Sequence, residues 1–130
     1  MKNELLFWVG FSLLLTHELD AVAHSEWRVL PVTSFLPHTV GFRVFVLLHV
    51  PLFAWLLWRV AHTDRAVRRR WHNIVCAFLV VHVALHSLFS GHDHYDFNGW
   101  MSRLLIFGGG AFGALHLAKQ YVTRAPRGPA

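Results

Sequence analysis

The sequence predicts an all-α integral membrane four-helix bundle, with antiparallel neighbours and both termini cytoplasmic. Three observations carry this expectation. Hydrophobic residues fill 55% of the 130 positions and charged residues only 15%, whereas an ordinary soluble domain is about one quarter charged. Six Trp and eleven Phe are more than a water-soluble core of this size would bury. The charges also cluster, which leaves long runs almost free of them. This pattern excludes a disordered chain, a disulfide-rich secreted scaffold and a soluble nucleotide-binding enzyme.

A spanning helix needs roughly 20 mostly apolar residues to cross a hydrocarbon layer about 30 Å thick. Four segments meet that requirement, at about 5–23, 39–60, 71–90 and 100–119, within a single transmembrane domain over 1–122. The first segment also mimics a signal peptide, since Lys2 precedes the apolar run Leu5–Leu15 and small residues follow at Ala21 and Ala23. His17, Glu18 and Asp20 are unusually charged for a cleavage region, so the segment reads as a retained span. In the second segment, Pro51 removes a backbone donor and should loosen the helix near Leu47, beside His49. The third contains the lone cysteine, Cys76, a packing residue with no disulfide partner. The fourth contains Gly109 and Gly113, a small-xxx-small pair suited to close helix packing. Residues 123–130, rich in Pro, Arg and Gly, read as a disordered tail.

Charge sets the orientation. With alternating helices, one end holds Lys2, Arg59, Arg65, Arg68, Arg69, Arg70, Lys119, Arg124 and Arg127, and the other keeps Arg28, Arg43 and Arg103. Nine against three, by the positive-inside bias, puts both termini in the cytoplasm and points to the bacterial inner membrane. The isoelectric point near 10.4 therefore reflects topology and anionic lipid rather than nucleic acid.

Acidic residues favour the opposite end. Glu18, Asp20, Glu26, Asp93 and Asp96 lie there, and histidines join them. His17, Asp20 and His24 share one face of the first helix, while His82 and His86 are i, i+4 neighbours in the third. At 1.5 Å per residue, His17 stands about 18 Å from the cytoplasmic boundary, His49 about 16 Å and Asp20 about 22 Å, and His82 and His86 share that layer. Ionisable groups at that depth are costly unless they face the bundle interior and find partners. Neutral imidazoles with a carboxylate are the ligand set of a zinc or iron ion. His17, Asp20, His49, His82 and His86 are the candidate ligands. Glu18 and Asp20 are the candidate catalytic carboxylates, with His24, Glu26 and His94 as a possible rim. A hydrogen-bonded network that locks the helices without any ligand competes with this reading.

The stretches His17-Glu-Leu-Asp-Ala21, Glu26-Trp-Arg28, His49-Val-Pro-Leu52 and His92-Asp-His-Tyr95 together resemble a family of small bacterial four-helix membrane proteins with HELDA and EWR motifs. That resemblance implies topology and gives these motifs weight, but implies no activity. From the residues themselves, the leading expectation is a metal-dependent protein acting on a lipid or other apolar substrate. The alternatives are electron transfer through haem b, with His49 and either His82 or His86 as axial ligands, and an accessory subunit of an oligomer or larger complex.

Overall fold

The computed structural model describes residues 2–124, so most of the expected disordered tail lies outside the described residues. It contains four helices, α1 (Lys2–Ala23), α2 (His38–Val60), α3 (Arg65–Phe89) and α4 (Trp100–Arg124), with a short 3₁₀ turn at Glu26–Arg28. Each of the four is long and apolar enough to cross a membrane. They pack together, which makes the chain an all-α, membrane-spanning four-helix bundle.

α3 begins at Arg65, six residues before the apolar run that announces it at Trp71. Asp64 explains the early start. Its carboxylate accepts hydrogen bonds from the backbone N–H groups of Val67 (3.2 Å) and Ala66 (2.7 Å), which caps the helix before the arginine-rich turn. Those bonds, from Val67 first and then Ala66, hold the Asp64 carboxyl below the usual carboxylate range. α2 runs through Pro51 without a break.

α1, α3 and α4 form the packed body, with Phe7, Phe11, Leu14, Val75, Cys76 and Leu79 at one end of its core. The His116 ring donates from Nδ1 to the carbonyl of Asn3 (3.0 Å), so the start of α1 and the end of α4 meet at the same end of the bundle. His72 is buried. Its ring stacks on Phe7 with centroids 3.6 Å apart, and its Nε2 donates to the carbonyl of Val60 at 3.0 Å.

α2 is different. Only 11% of its apolar stretch is buried within the chain, against 33–39% for the other three helices. Its buried residues, Gly41, Phe45 and Val60, lie towards its two ends. At the first end Gly41 receives the Trp27 ring so closely that a Cβ there would stand 2.7 Å from Cδ1. At the far end Trp55 meets Trp71 edge-on at 4.5 Å, and Val60 is tied to His72. Between these anchorages α2 stands away from α3.

Candidate metal centre

Three elements build the centre. α1 supplies His17, and α3 supplies His82 and His86 one turn apart. The fourth donor, Glu26, comes from the 3₁₀ turn. After α1 the backbone turns through Ser25, whose φ of 55° is the one positive value at a non-glycine among the described residues. That turn folds the chain back on itself. Trp27 drops into the Gly41 notch, and the hydroxyl of Thr33 donates to the Trp27 carbonyl (2.8 Å) to fix the loop. Glu26 is thereby directed towards His86, with 3.6 Å between Oε1 and Nε2.

The three imidazoles meet with ring centroids 4.8 Å (His17–His82), 4.9 Å (His17–His86) and 4.5 Å (His82–His86) apart. One donor atom from each of His17, Glu26, His82 and His86 lies within 4.8 Å of every other. A tetrahedral zinc site with bonds near 2.1 Å spaces its donors by about 3.4 Å, so the four would draw in by about an ångström around an ion. The chemistry of the donor set fits. Both ring nitrogens of His17 and Nε2 of His86 are buried without a hydrogen-bond partner. Buried polar atoms are satisfied in the great majority of cases, and an ion is one of the few things that explains such a group.

The remaining sequence-predicted residues fall around this set. Asp20 is buried beside His17, with 3.9 Å between its Oδ2 and the histidine's Nδ1, and its Oδ1 lies 3.3 Å from His24 Nε2. His24 in turn reaches Asp96 on the exposed surface at 3.3 Å. Asp20 thus lies next to the set without a hydrogen bond to His17, and both its carboxylate oxygens are buried without a hydrogen-bond partner. His94 is taken up by Arg28, which donates to its Nε2 at 3.0 Å. The Tyr95 hydroxyl lies 3.3 Å from His86 Nδ1.

His49 is not brought into the four-donor set. Its Nδ1 donates to the Phe45 carbonyl at 2.6 Å, and its Nε2 lies 2.9 Å from Glu18 Oε2. A carbonyl can only accept, so Nδ1 carries a proton, and the contact between Nε2 and Glu18 must hold a second proton shared by the two groups. Both ring nitrogens of His49 are thus engaged by neighbouring groups.

Glu26, expected only at the rim, is a member of the set. Its carboxyl is pushed up to about 8, first by burial and then by the neighbouring charges of Glu18 and Asp20. In the metal-free chain the fold keeps this proton to about pH 8, whereas the unfolded chain gives it up near 4.5. Stability of the metal-free protein is therefore expected to fall as pH rises between those values and to level off above them. Thermal midpoints taken in chelator at pH 5 and pH 8 check this. Glu26→Gln should flatten the slope, and an unchanged slope in that variant would assign it to another group.

Beside the centre lies a largely apolar cavity of about 450 Å³, in the space where α2 stands off α3. Glu18, Glu26, His49, His82 and His86 reach its wall, and Leu48, Leu52, Phe78 and Leu85 line the side towards the open face.

A small membrane-spanning four-helix bundle with a buried His/Glu cluster compatible with a metal ion is thus the class of protein that fold and site define. The chain belongs to a family of unknown function, DUF6713, which it matches over residues 3–123. Neither a curated protein nor a solved structure matches it.

Proposed function

We propose that this chain is a membrane metalloprotein that holds zinc or iron on His17, Glu26, His82 and His86 and acts on an apolar molecule drawn from the bilayer. The observation that carries the reading is the convergence of three buried imidazoles on one carboxylate, with partnerless nitrogens on His17 and His86. An ion held by these four residues would supply Lewis acidity and would lower the pKa of a bound water towards neutrality.

The rest is supplied by the chain. Asp20 lies 3.9 Å from His17 Nδ1 and, drawn closer around an ion, would be the carboxylate behind that imidazole. The Glu18–His49 pair stands on the cavity wall and holds a proton at the Oε2–Nε2 contact, within the space a substrate would fill. The cavity volume is in the range of small-molecule sites, and its lining suits a hydrocarbon chain. A substrate dissolved in lipid would reach it through the gap between α2 and α3, without crossing water. The charge asymmetry of the ends supports a cytoplasmic location for both termini and an outward-facing centre in a bacterial inner membrane.

Elemental analysis of detergent-purified protein tests the reading. About one equivalent of zinc or iron per chain is expected from a single four-donor site. Protein that remains metal-free after incubation with either ion would overturn it, and would leave the histidines as a packing network of an accessory subunit.

A further inference from the structure

We infer that the opposite end of the bundle carries a binding site for one anionic phospholipid, in the groove beside the start of α3. This groove has a volume of about 830 Å³ and is polar at one end and apolar at the other. Arg59 from the end of α2 and Arg69 and Arg70 from the first turns of α3 form its head. Trp71, Ile74 and Leu117 continue it along α3 and α4. Ile74 stands one turn further into the span than Arg70, so the charged head and the apolar track follow each other in the order in which a phospholipid presents its phosphate and its acyl chain.

The head is prepared for an anion. The Arg59 guanidinium lies over the rings of Trp58 (4.8 Å) and Trp71 (5.4 Å), which hold it flat while its Nε is buried without a hydrogen-bond partner. Among the described residues, every carboxylate within ion-pair distance of a base is paired with a histidine, so none neutralises Arg59, Arg69 or Arg70. Arginine's planar fork suits bidentate bonds to phosphate oxygens. A soluble phosphate compound would use the head and leave the track empty, whereas a zwitterionic lipid would fill the track without matching the net positive charge. An anionic phospholipid uses both.

Native mass spectrometry of the detergent-purified chain, titrated with phosphatidylglycerol or with phosphatidylcholine, tests this. One phosphatidylglycerol should be retained in preference to phosphatidylcholine. Arg69→Gln/Arg70→Gln should weaken its retention by about thirtyfold, in keeping with the contribution of two cations at a lipid surface. Arg103→Gln, a change at the other end, should not alter it. Leu117→Trp keeps every arginine but fills the track, and it should weaken retention as well. The proposal is overturned if phosphatidylcholine binds equally, if neither variant weakens binding, or if inorganic phosphate at equal concentration displaces the lipid.

Discussion

In a His82→Ala/His86→Ala variant, bound zinc or iron should fall from about one equivalent to below a tenth. Two of the four ligands are then gone, and even loss of a residue behind a ligand costs 10–100-fold in metal affinity. The two imidazoles share one face of α3 and both oppose His17, so no neighbouring histidine can replace them from the same direction. The fold should survive the change. Each substitution leaves a cavity, but the pair of them also removes a buried His86 nitrogen that has no partner in the metal-free chain. Variant and parent should therefore unfold at similar temperatures in chelator, and only the parent should gain stability when the ion is added. His92→Ala serves as the control, because that exposed residue lies in the loop between α3 and α4 and is not one of the four donors. Full metal retention by the double variant would place the ion elsewhere, with His24 and Asp96 as the first place to look.

The four helices were legible because an apolar run of 20 residues has few other uses. The start of α3 was less so. Arg68, Arg69 and Arg70 look like a loop when hydropathy alone is read, although Asp64 ahead of Arg-Ala-Val was a usable capping signal. Within the site, the i, i+4 spacing of His82 and His86 and the depth of His17 point to residues that the fold brings together. Depth alone does not give the direction a residue faces around the bundle. His49 shares their level, but α2 stands apart from the packed body, and its imidazole meets Glu18 instead. Glu26 lies beyond α1 in sequence and looks like a rim residue. It reaches the centre only because the chain reverses at Ser25 and Trp27 anchors against Gly41, and no periodicity encodes a contact of that kind.

The second large effect is expected where α3 and α4 touch. A Cβ at Gly113 would stand 2.6 Å from the carbonyl oxygen of Cys76 and 3.0 Å from the Cβ of Leu79. A backbone carbonyl inside a helix cannot swing aside, so the helices must separate. Gly110 is similarly closed by Val83, whereas Gly108 faces only the flexible tip of Leu13, at 3.4 Å. Gly113→Ala should thus destabilise the bundle by about 1–3 kcal/mol, the usual range for overpacking, and Gly113→Leu by more. Gly108→Ala should be nearly silent. Thermal unfolding in detergent distinguishes the three. The packing also reaches the chemistry, because Leu79 lies one turn before His82 on α3. A wedge at Gly113 should shift the helix that carries two ligands and lower metal occupancy with all four donors still present. If Gly113→Leu and Gly108→Ala melt together and bind metal alike, α3 and α4 do not approach as closely as described, and the spacing of the imidazoles across α1 and α3 would have to be set by some contact other than this one.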